Sequence, residues 1–231
     1  MTSTFIFNGV TYTELAQANG WIPVADTWTY ASASTITIPS DGTTKYQKGM
    51  PLRFKQGGGY KYYNIYSVTS TLITVIVNTD FTVANTAITD IAVSFLANPF
   101  GFPQWFTRTA TGIVSGSGGS AGTYAQSIAT AEYYVNGQTM YEMNFIRISN
   151  VGSWSGSVLL TGAVPATSRG ANISMNGGVW AQAAAPGTKK GNPVYASSTA
   201  FSFVSAIGSA LLQWSAMAAN DEIHIRDNYQ F

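Results

Sequence analysis

Alternation with a period of two runs through almost the whole chain and leaves little room for anything but strands. "TWTYASASTITIP" alternates polar with apolar or aromatic residues, "KYYNIYSVTS" does the same, and "STLITVIVNT" is β-branched nearly throughout. "PSDG" at Pro39–Gly42 and "QGGGY" at Gln56–Tyr60 supply the turn chemistry between them, because glycine reaches the positive φ that tight hairpins demand. Strands punctuated at intervals of about ten residues predict an antiparallel sandwich or barrel. Helical signal is confined to "TYTELAQANG", where Thr13 could cap a short helix ended by Gly20. A second mixed stretch, "VSAIGSALLQWSAMA", reads as strand and loop.

The pattern breaks once. Residues 107–124 are rich in Gly, Ser, Ala and Thr, and "GSGGSAG" carries no side chain able to build a core, so the stretch reads as a linker or a long hairpin. Beyond it the strands resume, from "TAEYYVNG" to "DEIHIRDNYQF". In "TMYEMNFIRIS", Met140, Glu142, Asn144, Ile146 and Ile148 share one face, and Tyr141, Met143, Phe145 and Arg147 the other. Both faces are mostly apolar, which predicts a strand in a sandwich centre or against a neighbouring chain. The expected fold class is therefore all-β, two antiparallel β-sandwich or barrel domains in tandem. The N-terminal domain spans residues 1–106, the linker or hairpin 107–124, and the C-terminal domain 125–231.

"PFGFPQWF" at Pro99–Phe106 closes the first of these domains. Pro99 and Pro103 lack amide donors and cannot continue a central ladder. Phe100, Phe102, Trp105 and Phe106 bring a large apolar load to one place, either as a plug at the domain junction or as an anchor for another chain. As a buried plug, Trp105 would lose about 3–5 kcal/mol on truncation to alanine.

Charged residues make up 9 % of the 231 positions and the formal net charge is +1. A nucleic-acid partner is not expected, since it needs a basic face to neutralise phosphates. Lys45, Lys48, Arg53, Lys55 and Lys61 do cluster in sequence, and a solvated sheet face explains them better. The chain has no cysteine, so disulfides and the usual Cys/His zinc sites have no ligands. "MTSTFIFNGVTYTEL" has neither a basic n-region nor a long apolar run, so neither a signal peptide nor a membrane anchor is read there. Synthesis in a cytoplasm follows.

No catalytic constellation is found. The single histidine, His224, lies between isoleucines on an apparent strand, and no nucleophile elbow accompanies it. It reads as a surface or interface residue. Glycosidases need two carboxylates about 5–9 Å apart, and nothing in the order of Glu132, Glu142, Asp221, Glu222 and Asp227 brings two together. Phosphate-loop and calcium-loop spacings are absent. No catalytic, cofactor-binding or metal-binding residue is assigned, and no cofactor is expected. The remaining signal is aromatic. Trp154 in "NVGSWSGS" and Trp180 in "NGGVWAQ" stand beside Gly, Ser and Asn. There they serve either as lids on the core or as rings stacked on a sugar face or another subunit.

The run "GWIPVADTWTYASASTITIPSDGTTKYQKGMPLRFKQGGGYKYYNIYSVTSTLITVIVNTDF", followed by "ITDIAVSFLANPFGFPQWF", resembles a module in virion structural proteins of tailed bacteriophages. The shared elements are a Trp-containing first strand, an Asp turn, a corner from Tyr46 to Gly49, the paired "KYY" strand and the terminal Pro/Phe segment. The second half, with "AEYYVNGQTMYEMNFIRISNVGSWSGSVLLTGAVPA" and "DEIHIRDNYQF", is similar to β-sandwich domains of phage tail fibres, spikes and head fibres. The resemblance implies a virion location and a non-enzymatic structural role as capsid decoration, head fibre or tail appendage. It implies a homotrimer, with other virion proteins as partners. The N-terminal domain would dock on the particle and the C-terminal domain would project. The alternative is a receptor-binding module for a bacterial surface glycan through Trp154 and Trp180.

Overall fold

The computed structural model describes residues 4–7, 10–13, 19–108, 114–120, 122, 125–161, 174–181, 188–197, 200–205 and 217–230. Among them the protein is all-β, with antiparallel pairing and no helix. The helix expected within residues 11–20 falls largely on positions outside the described set, as does most of "VSAIGSALLQWSAMA". The chain forms two compact units. One is Met1–Gln104 with the hairpin tip Val135–Gln138, and the other is Trp105–Tyr134 with Thr139–Phe231.

Among the described residues the first unit carries nine strands. They are β1 (Thr4–Phe7), β2 (Val10–Thr13), β3 (Ile22–Pro23), β4 (Thr29–Ser32), β5 (Thr35–Thr37), β6 (Pro51–Gln56), β7 (Gly59–Val68), β8 (Leu72–Val75) and β9 (Thr89–Val93). β1 and β2 form a separate hairpin, and the rest make one sheet in the order β3-β9-β6-β7-β8-β5-β4. "TWTYASASTITIP" is thus two short strands folded at Ala33–Ser34, not one. β7 belongs to two hairpins. Gly59–Asn64 pairs with β6, and Ile65–Val68 with β8. A ten-residue strand that changes partner half-way curves the sheet around one core, in which Trp28, Ile36, Leu52, Phe54, Tyr63 and Ile65 are buried. Gly57 and Gly58, at φ +61° and +86°, form the two-residue turn between β6 and β7. Two successive positive φ values define the primed turn whose twist matches paired strands.

Gln56 ends β6 on the buried face. Its Nε2 donates to Ala84 O (2.8 Å) and Thr86 O (3.0 Å), and its Oε1 accepts from Ala84 N (3.0 Å). One side chain thus satisfies three backbone groups of the irregular segment between β8 and β9, where no strand partner exists for them.

The second unit holds β10 (Phe106–Arg108), β11 (Val114–Ser120), β12 (Ala125–Asn136), β13 (Thr139–Asn150), β14 (Ser153–Thr161), β15 (Ser174–Ala181), β16 (Thr188–Ser197), β17 (Ala200–Ser205) and β18 (Glu222–Gln230). Their order is β10-β12-β13-β18-β15-β16-β17-β14-β11, so β10 and β11 lie on opposite edges. Laid flat, nine strands at about 4.8 Å spacing would set those edges about 38 Å apart. Six residue steps join Arg108 to Val114 and reach at most about 22 Å. The sheet therefore curls back on itself.

This arrangement revises the reading of residues 107–124. β10 and β11 are ladder strands of the second unit, β11 pairing with β14 through a bulge between Gly116 and Gly118. Backbone pairing, which needs no side chain, makes strands of a glycine-serine run. Arg108 ties β10 inward as well: its Nη2 donates to Asn144 Oδ1 (2.7 Å) and lies 3.8 Å from the buried Glu142 carboxylate. Met140, Glu142, Asn144, Ile146 and Ile148 are all buried, the shared face that the alternation predicts.

Candidate functional site

The rings of the aromatic segment differ in burial. The boundary between the units falls at Gln104/Trp105 and divides its rings. On the first side, Pro99–Phe102 is a turn closed by Phe102 N donating to Pro99 O (3.0 Å), with Gly101 at φ +79° in its third position. A positive φ there is the requirement of a type II turn. Phe102 is buried, 6.0 Å from the Trp21 ring and 6.1 Å from Tyr62. Trp21 Nε1 donates to Phe100 O (2.8 Å), and Phe100 N to Asn19 O (2.9 Å). So pinned, the loop holds the Phe100 ring 81 % exposed, and Phe95 and Leu96 are 71 % and 57 % exposed. On the second side, Phe106 is buried and stacked on Tyr133 at 5.4 Å. Trp105 meets Tyr134 edge-on at 4.7 Å and stays 42 % exposed.

Neither loop tryptophan is on a loop. Trp154 is the second residue of β14, half-buried opposite Gly119, with an indole N–H that is buried and unbonded. Trp180 is on β15, opposite Glu222 and Lys189. Its side chain lies outside the described residues. β16 and β17 separate the two tryptophan strands in the sheet order. The structure does not place the two residues on neighbouring strands. His224 is half-exposed on β18. Its Nε2 is 2.9 Å from Glu222 Oε2, and its ring is 4.5 Å from Phe145. Arg147 also bonds Glu222, its Nε donating at 2.8 Å. Burial pushes the Glu222 carboxyl up, but the bonds from His224 and Arg147 outweigh it and hold the group below its ordinary value.

The densest cluster of polar chemistry is on the outward face of β6, β7 and β9. The Gly57–Gly58 turn sets Arg53 opposite Tyr62 and Lys55 opposite Tyr60. Opposed residues share a face, so two cations meet two rings. The Arg53 guanidinium carbon is 4.6 Å from the Trp21 ring centre and 4.8 Å from that of Tyr60. Lys55 Nζ is 4.8 Å from the Tyr60 ring and 3.2 Å from Asp90 Oδ2. Tyr60 OH donates to the same carboxylate oxygen.

Asp90 reaches this face through a bulge. Arg53 pairs with Ala92 and Lys55 with Thr89, so Asp90 and Ile91 together oppose the single Phe54. Asp90 takes φ +50°, a left-handed backbone uncommon outside glycine. The bond from Tyr60 is the main reason its carboxyl sits below the usual range, with Lys55 and Arg53 adding to it. The same bond raises the Tyr60 hydroxyl, and the Asp90 bond raises Lys55.

Sequence reading grouped Arg53 and Lys55 with Lys45, Lys48 and Lys61 as one solvated sheet face. The others go elsewhere. Lys45 pairs with Asp26 at 2.9 Å, Lys48 lies over the Tyr66 ring, and Lys61 donates to Thr82 O. The signal that could have singled out Arg53 and Lys55 is the spacing R-x-K, Gly-Gly turn, Y-x-Y. Among the described residues no group of three or more His, Cys, Asp or Glu could hold a metal ion. No family model matches the chain, and neither does any curated protein or solved structure.

Proposed function

We propose that this chain is a non-enzymatic structural component of a tailed-phage virion, anchored to the particle through one unit with the other projecting. The observation that carries the reading is the pinned loop of the first unit. Trp21, Phe102 and Gly101 lock a turn whose outward side chains are apolar, and Phe95, Leu96 and Phe100 face solvent. Large apolar side chains held out on an ordered loop, in a chain with only 9 % charged residues, suit permanent docking on another protein. The resemblance of both halves to phage virion modules supports the same reading.

Immunogold electron microscopy of intact particles tests it. Label on the capsid shell supports a decoration or head-fibre position, and label at the tail supports an appendage. A protein found only in lysate and never on particles overturns the proposal. Replacing Phe95 and Phe100 by serine should abolish incorporation into particles while circular dichroism of the purified chain stays unchanged.

A further inference from the structure

Arg53 is placed unlike every other cation of its unit. Its guanidinium is held between the rings of Trp21 and Tyr60, yet it makes no hydrogen bond and no ion pair among the described residues, and its Nε is buried without a partner. Ring contacts hold the flat faces of a guanidinium and leave its N–H edge unused. Nε is closed off, but the Nη1–Nη2 end makes no bond among the described residues and matches a carboxylate, which accepts two parallel N–H bonds. Beside it, Lys55 offers a second cation. Asp90 offers an acceptor at a bulge that costs backbone strain, and the half-buried Tyr60 and Tyr62 rings are 6.3 Å apart. Strained backbone held by surrounding bonds is a recurrent mark of binding sites.

We infer that this face of β6, β7 and β9 binds a carboxylate-bearing sugar. The sugar's carboxylate pairs with the Nη end of Arg53 beside the Lys55 cation, and its hydroxyls donate to Asp90. Asp90 decides between ligand classes. A fixed carboxylate beside the two cations accepts from hydroxyl groups, which an acidic sugar carries on every ring and a polyacidic peptide lacks. Arg53 does not depend on Phe95 or Phe100 side chains, so the site stands whether or not the loop docks on a particle.

The test is calorimetric titration of the full chain with tetragalacturonate and with 3′-sialyllactose. Controls are the methyl ester of tetragalacturonate and hexaglutamate. At least one acidic sugar should bind with Kd of about 1 mM or tighter. Esterification should weaken binding at least about tenfold, as should Arg53→Lys, which keeps the charge and removes the fork. Lys55→Gln, at a half-exposed position, should weaken it as well. Phe100→Ser should leave it unchanged. Circular dichroism confirms the fold of each variant. The proposal is overturned if neither acidic sugar binds, if the ester or hexaglutamate binds as tightly, or if both Arg53→Lys and Lys55→Gln bind like the parent chain.

Discussion

Gln56 and the pair Trp105/Phe106 show how much a single position can weigh. Gln56→Leu keeps the volume of the side chain and strips the partners from Ala84 N, Ala84 O and Thr86 O. Leaving buried backbone groups unbonded costs far more than the net value of the bonds, so the variant should lose about 2–4 kcal/mol in urea unfolding. Trp105 and Phe106 are adjacent, but alternation along the chain sends them apart. Phe106→Ala removes a ring that is 1 % exposed and should cost about 3–5 kcal/mol. Trp105→Ala removes one that is 42 % exposed, and the loss should be nearer 1 kcal/mol, well below what a buried plug requires. Equal losses at the two positions would contradict the burial of Phe106 and the exposure of Trp105.

At the scale of elements, legibility followed the local period. β13 was readable to the residue, because alternation alone fixes which of Met140, Glu142 and Asn144 share a face. The β6–β7 hairpin was readable from Gly57–Gly58. β10 and β11 were not, since pairing between backbones leaves no trace in side-chain pattern, and Gly and Ser read as linker. The Asp90 bulge was not legible either, because it depends on β6 and β9 pairing across more than thirty residues. Asp90→Val places a β-branched residue at φ +50° and should cost about 1–3 kcal/mol, whereas Asp90→Gly should keep the fold. On the β13–β18 pair, Glu222 gives a pH dependence with a definite sign. Its folded carboxyl titrates below its unfolded one, so its contribution is complete above the ordinary glutamate range and fades as pH falls through the folded value. Urea midpoints taken from neutral pH down to about pH 3 should decline less steeply in Glu222→Gln than in the parent. A steeper decline in the variant would reverse the sign.

For the whole molecule, the remaining expectation is assembly, and the outward face of the second unit is the surface we propose for it. Trp105 meets Tyr134 at 4.7 Å, Tyr134 stacks on Tyr141 at 4.5 Å with the ring planes parallel, and Phe145 lies against His224 on the same side of β13 as Tyr141. These rings are half-buried or exposed in the single chain. A ladder of rings across neighbouring strands has the aromatic content of the centre of a protein interface, and Arg226 opposite Met143 and the Arg147–Glu222 pair beyond Phe145 place charge beside it. A stable interface removes about 800 Å² from each partner, so strands beside the ladder would contribute to it. The number three comes from the phage resemblance, and a closed ring of three is built from heterologous contacts, so the ladder would meet a different face of the next copy. Multi-angle light scattering at micromolar concentration should report a homotrimer. Tyr141→Ser combined with Phe145→Ser should convert it to monomer without loss of β signal in circular dichroism, since neither ring is in the buried face of β13. A parent chain that runs as a monomer at every concentration removes the assembly, and a trimer that survives the double substitution moves its interface off this ladder.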